Sequence, residues 1–231
     1  LDNKVYSIGT EHLNYAKILE ALKKKQYDNI PVLANISTTI QNSVTKAGGN
    51  VEIKNGHIYY KGFIIDNSLT RRIIEMLGKN YPFDPMLKFF ENLMENPSQR
   101  AVTELYNFLD VNNIPITEDG CFLAYKRVRE DYMDIYSGTI ANDVGQVVKM
   151  DRKLVDDNSQ ETCSVGLHVC SVGYLTNFHN GEGHVMILKV NPRDVVSIPV
   201  DYKNTKMRVC EYVVVKEMDI DENNPLKDMF S

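Results

Sequence analysis

Long apolar runs are missing from this 231-residue chain. The longest, such as Val185–Leu188 and Val213–Val215, fall far short of the about 18 to 20 residues that cross a bilayer. Any membrane association is therefore expected to be peripheral. The N-terminal Leu1-Asp2-Asn3-Lys4-Val5 has no apolar signal core and no small-residue cleavage site. Cysteine is scarce: Cys121, Cys163, Cys170 and Cys210 all lie in the second part of a chain too large to need disulfide staples. They are expected to be reduced thiols in a cytoplasmic protein. Positive charge is in short supply as well, with 26 Lys and Arg against 31 Asp and Glu, a net charge of -5. Up to Pro115 the balance is 13 basic to 12 acidic residues, and beyond it 13 to 19. Such a chain is unsuited to coating DNA or an anionic membrane. No phosphate loop, G-x-S-x-G elbow, zincin motif or EF-hand is present.

What is present is a 43% hydrophobic sequence with a change of period near its middle. Thr10 can cap a helix over Glu11–Lys25, with Leu13, Ala16, Leu19 and Leu22 along one face. Lys23, Lys24 and Lys25 at its end complement the helix dipole, the other reading being a phosphate or lipid contact. Residues 30–47 show no clear period. Asn55-Gly56 between two β-prone runs predicts a hairpin near 51–60, with His57 a solvated strand residue. Asn67 or Ser68 caps a helix through Leu77, and Gly78 stops it. Arg71 and Arg72 on that helix are the feature a DNA-binding regulator would use. Asp84-Pro85 and Ser98 each open a further helix, giving an αα-hairpin over 84–112 whose aromatic and Met stripe is core packing.

After Pro115 strand-like runs take over: 121–125, 146–150, 166–170, 185–190, 195–200 and 208–215, separated by Gly, Asn, Asp and Pro. The reading is an α+β protein: a mainly helical part, 1–115, with the hairpin; a β-rich domain, 116–216; and an acidic tail, 217–231. Cys163, His168, Cys170, His184 and Cys210 are residue types that bind zinc, yet no C-x-x-C pair occurs and the spacing argues against a metal site.

Two resemblances add to this. Gly166-Leu167-His168-Val169-Cys170-Ser171, followed by a short helix with Tyr174, Leu175 and Phe178, resembles the strand-then-helix motif of ADP-ribosyltransferase-like folds. Cys210-Glu211-Tyr212-Val213-Val214 resembles the strand that carries the catalytic glutamate there. That resemblance implies NAD as cofactor, and Glu211 as the carboxylate that orients a ribose hydroxyl and stabilises an oxocarbenium-like transition state. His168 stands where a tyrosine is common, and Tyr125 and Lys126 lie on the strand that usually offers Arg or His.

The longer resemblance runs from about Leu87 to Val215. Asn96-Pro97-Ser98, Leu105–Leu109, Ile116–Lys126, Tyr136-Ser137-Gly138, Val155-Asp156-Asp157, Thr162–Ser171 and Asn191–Tyr202, in that order, resemble the phage rIIB family. The first ~80 residues resemble it only loosely. The resemblance implies a non-structural phage protein of the host cytoplasm, peripheral to the inner membrane, acting with a partner called rIIA on lysis timing and host exclusion. It carries over no catalytic residue.

The expected function is therefore a non-enzymatic phage accessory protein that binds a phage or host protein, or a nucleotide-like ligand, with no cofactor. Tyr125, Lys126, His168 and Glu211 would line a polar pocket, Lys126 taking a phosphate and His168 or Glu211 a sugar hydroxyl. The alternatives are an NAD-dependent ADP-ribosyltransferase using Glu211 and His168, and a DNA-binding regulator.

Overall fold

A computed structural model describes residues 5, 7–8, 10, 14–34, 50–54, 57–79, 81–175, 182–200 and 205–218. The chain is α+β and forms two compact units, Leu1–Glu91 and Asn92–Ser231. The change of period near Pro115 lies inside the second unit, because the helix before it belongs there too.

In the first unit, α1 (Tyr15–Lys23) is followed by a 3-10 turn and the short α2 (Ile30–Ala34). The expected cap, Thr10, is described as a turn residue, and Glu11–Leu13 lie outside the described residues. The helix buries Ile18 and Ala21 and leaves Leu19 and Leu22 at 40% and 46% exposure, so its inner face is not the expected one. Asn14 explains the rotation. Buried at the helix start, it donates to Leu33 O at 2.9 Å, which turns the 14-18-21 face inward. The lysines close α1 as expected, with Lys24 paired to Glu20 at 2.6 Å.

The hairpin is present as β1 (Val51–Lys54) and β2 (His57–Tyr60), paired from Val51↔Tyr60 to Lys54↔His57. Its Asn55-Gly56 turn lies outside the described residues. A third strand, β3 (Phe63–Ile65), follows through Lys61 and Gly62, both at positive φ. Helix α3 (Ser68–Gly78) starts at Asn67, whose side chain accepts from Thr70 N while Thr70 Oγ1 accepts from Asn67 N. Helix α4 (Asp84–Met94) begins in this unit, and Phe90 meets Tyr60 edge-on at 6.1 Å.

The second unit holds α5 (Gln99–Val111), capped by Ser98, and one seven-stranded antiparallel sheet. Its strands are β4 (Phe122–Val128), β5 (Val147–Lys149), β6 (Leu167–Cys170), β7 (His184–Val190), β8 (Val195–Ser197), β9 (Lys206–Val209) and β10 (Glu211–Glu217). A single helical turn, α6 (Val172–Leu175), follows β6. Spatial order is β5-β10-β7-β4-β6-β9-β8.

The continuous run read at 208–215 is thus two strands in different places. Strand β9 pairs with β6 and β8, whereas β10 pairs with β5 and β7. Only Cys210 joins them. In a flat sheet four inter-strand steps would hold β9 and β10 ~19 Å apart. A one-residue link reaches ~7 Å. The sheet must therefore curl until its two edges approach each other at Cys210. Backbone bonds mark that seam: Cys210 N donates to Asp194 O, and Met150 N donates to Cys210 O, each at 2.9 Å. Arg152 closes it further, donating to Arg193 O, Val195 O and Asn96 Oδ1.

Candidate functional site

Strands β4 and β6 are paired at one position, Tyr125↔Cys170, where the Cys170 thiol also donates to Tyr125 O at 3.2 Å. Beyond it the ladder stops. Lys126 Nζ reaches across to His168 O at 3.3 Å in place of a backbone donor. A cavity of about 620 Å³ opens in this fork, within the range of about 300 to 1,000 Å³ that takes a small organic ligand. Leu167, Val169, Leu175 and Ile140 give it apolar wall, and Lys126, Arg127, Asp134, His168 and Lys206 give it charge and hydrogen-bonding groups.

Lys126 Nζ lies 2.7 Å from Asp134 Oδ1, with both side chains nearly buried. Asp134 Oδ2 also accepts from Tyr136 N and Ser137 N. Burial pushes the Asp134 carboxyl up, but the Lys126 charge and these hydrogen bonds outweigh it and hold the pKa below the usual range. Lys206 is buried, donates to Thr162 O at 2.6 Å and sits 5.8 Å over the Tyr174 ring. Arg127 is buried, and its Nη1 donates to Glu182 O. Burial lowers its pKa, yet a guanidinium stays charged at neutral pH. Its Nε has no hydrogen-bond partner among the described residues.

His168 Nδ1 is 3.1 Å from Gly166 O. A carbonyl only accepts, so Nδ1 carries the proton and Nε2 keeps its lone pair. Burial first, and then the charges of Lys126, Arg208 and Lys206, pull the imidazole pKa down to about 4. At neutral pH His168 is a neutral acceptor on the cavity wall.

The rim of the cavity is held by Arg208, which is fully buried. Its guanidinium donates to the carbonyls of Asp156, Asn158 and Glu161 and to Ser197 Oγ. Those bonds fix the turn that leads into the rim residues Cys163–Gly166. Gly166 has φ +152, and a Cβ there would stand 2.9 Å from Val155 Cγ1 and 3.0 Å from Arg208 Cδ. Glycine is required because the Arg208 stem passes directly beneath.

Three of the four residues expected at a pocket, Tyr125, Lys126 and His168, line this one together. Glu211 does not. It opens β10, across the Cys210 crossover, and its carboxylate pairs with Lys149 at 2.9 Å. Among the described residues the carboxylate that does reach the pocket is Asp134, and Lys206 reaches it as well. Neither is legible as a site residue in the sequence: Tyr136-Ser137-Gly138, beside Asp134, carries only the family resemblance, and nothing in the spacing of Lys206 signals a pocket.

The residues considered for zinc are dispersed. Cys170 Sγ bonds Tyr125 O, Cys210 Sγ lies against Asp194 and Arg152, and His184 Nδ1 lies 2.7 Å from Glu217 Oε1 while stacking on Tyr132. All four cysteines are free thiols, and Cys163 is the exposed one. Arg71 pairs with Asp66, and Arg72 pairs with Glu75. No helix among the described residues is long and apolar enough to cross a membrane.

These features define an α+β protein whose curled antiparallel sheet forks into a cation-lined pocket. The family model described as Bacteriophage T4 protein rIIB matches residues 3–226, including the N-terminal part that the motifs resembled only loosely. Protein rIIB of Enterobacteria phage T4 is 42% identical over 207 residues. The chain belongs to the phage rIIB family. The alignment covers 90% of this chain and 65% of that relative's length. No solved structure matches it.

Proposed function

We propose that this protein is a non-enzymatic phage accessory protein that acts in host interaction, in lysis inhibition or against host exclusion, and does so with a nucleotide-like ligand in the β4–β6 pocket. The observation that carries the ligand is the convergence of Tyr125, Lys126 and His168 on one cavity of about 620 Å³. His168 Nε2 offers an acceptor to a sugar hydroxyl, and the Tyr125 side of the fork offers apolar surface to a base. The host-interaction role, an rIIA-like partner and a place in the host cytoplasm beside the inner membrane draw their support from family membership. The transferase reading rests on Glu211, and Glu211 is not among the lining residues of this pocket.

The test is a thermal-shift screen of the purified chain against NAD, ADP-ribose, AMP and adenosine, with free nicotinamide followed in parallel. A ligand that binds only the folded state raises the unfolding temperature by mass action. The expected result is a shift with at least one of these that His168→Asn reduces, and no nicotinamide release. Absence of any shift would reject the ligand, and nicotinamide release would reject the non-enzymatic role.

A further inference from the structure

One cation of the pocket stands without a counter-charge among the described residues. The buried charged residues described in the second unit are Arg127, Lys206, Arg208 and Asp134. Asp134 is already engaged by a further cation, Lys126. Arg208 spends its hydrogen bonds on backbone carbonyls and Ser197, which is a structural use. Arg127 differs. It lines the cavity, has no carboxylate within ion-pair distance among the described residues, and leaves Nε unbonded.

A charge removed from water is strongly disfavoured until an opposite charge meets it. This island of positive charge lies in the acidic part of the chain, where 19 Asp and Glu outnumber 13 Lys and Arg. A cavity that carries a buried cation attracts an anion small enough to enter.

We infer that the pocket ligand bears a phosphate monoester or diphosphate, held inside the fork by the charges of Lys126, Arg127 and Lys206. The inference deepens the ligand-binding reading above and rests on it. Lys126 and Lys206, which with Arg208 lower the His168 pKa, line the cavity together with Arg127. His168 Nε2, as an acceptor, is left for a neutral donor on the rest of the ligand. An unphosphorylated nucleoside has no charge to offer Arg127, whose Nε is left without a partner among the described residues.

Cys163 supplies the readout, because it lines the cavity and is the exposed thiol among the four. The full chain is treated with N-ethylmaleimide in the presence of adenosine, AMP or inorganic pyrophosphate, and the rate of Cys163 alkylation is followed by mass spectrometry. AMP is expected to protect at a concentration at least 10-fold lower than adenosine, and pyrophosphate to protect by itself. Arg127→Met is expected to bring AMP to the level of adenosine; if that variant does not fold, Lys206→Met makes the same comparison.

Equal protection by AMP and adenosine with none by pyrophosphate would overturn the anion site and leave the nucleotide-like reading standing. Protection by pyrophosphate alone would support the anion site and overturn that reading. Protection by none of the three would overturn both.

Discussion

Tyr125 and Cys170 form the one pair that joins β4 to β6, so on this side the two halves of the seven-stranded sheet are paired at a single backbone position. The Cys170 thiol is part of that joint, donating to Tyr125 O, and burial pushes its pKa up to about 12. A thiol so buried presents neither a surface nor a thiolate to a reagent. Cys121 is pushed up to about 11, first by burial, and Cys210 is raised chiefly by burial. In the native protein at pH 8, one thiol per chain should therefore react rapidly with Ellman's reagent, and four in denaturant. A second fast thiol identified as Cys170 would show that the fork is open at the joint.

His168 makes stability fall with acid. The unfolded imidazole titrates near 6.5 and the folded one at about 4, so between these values the unfolded chain binds more protons. Stability is complete above 6.5 and is lost as pH falls toward 4, by at most about 3 kcal/mol. Urea unfolding at pH 7.0 and pH 4.5 should show a smaller difference for His168→Asn than for the parent. The Asp134 carboxyl, whose pKa is lowered in the fold, adds a loss at still lower pH in both proteins. Equal differences in the two proteins would mean that the His168 environment is not buried and cationic as described.

Arg208 and Arg127 are both buried guanidiniums, and their removal should differ in kind. Replacing Arg208 with Met strips donors from three carbonyls and one hydroxyl at once. Unsatisfied buried acceptors of this sort cost about 1 to 3 kcal/mol apiece, in part recovered by water. A loss of ~3 kcal/mol or more in urea unfolding is expected, along with faster Cys163 alkylation as the rim loosens. Arg127→Met removes one hydrogen bond and a charge with no carboxylate partner among the described residues, so a loss within about 1 kcal/mol is expected.

Glu211 should be dispensable to the pocket. Its partner Lys149 is 65% exposed, and pairs of that kind contribute ~0.5 kcal/mol. Glu211→Gln is expected to leave both AMP protection of Cys163 and the urea midpoint close to those of the parent. A tenfold loss of protection by this variant would return Glu211 to the site.

The fate of Glu211 shows what a sequence can carry. Period, caps and turn residues made the helices over 84–94 and 99–111, the hairpin and most strands readable, because each is a local property. His168, Tyr125 and Lys126 were legible as a group because their strands neighbour one another in the sheet. That Glu211 does not line this pocket is not legible, because Arg208–Val215 has unbroken strand character and a crossover at one residue leaves no mark on periodicity. The rotation of α1 escaped for a related reason: Leu19 and Leu22 fit a helical stripe, and a hydrogen bond from Asn14 to the distant Leu33 chose the other face. The buried cations are invisible in a charge count, since a total does not say that Arg127 on β4 and Lys206 and Arg208 on β9 are the ones that face inward.

Asn96 is the last residue whose weight the fold alone shows. It follows α4, and its Nδ2 donates to Pro192 O and Val195 O, both at 2.8 Å, beside β8. Its Oδ1 accepts from Ser98 N at 2.8 Å and from Arg152 Nη2 at 2.9 Å. One buried amide thus satisfies four groups and holds the Arg152 seam where the sheet edges approach. Asn96→Ala should lower stability by ~2 to 4 kcal/mol in urea unfolding. Asn96→Asp separates the donor from the acceptor role, since a carboxylate still accepts from Ser98 and Arg152 but turns an oxygen toward two carbonyls. The aspartate is expected to be no better than the alanine at neutral pH, and to recover part of the loss where it is protonated and can donate once more. If alanine fell within 0.5 kcal/mol of the parent, the seam would be held by the backbone bonds at Cys210 alone.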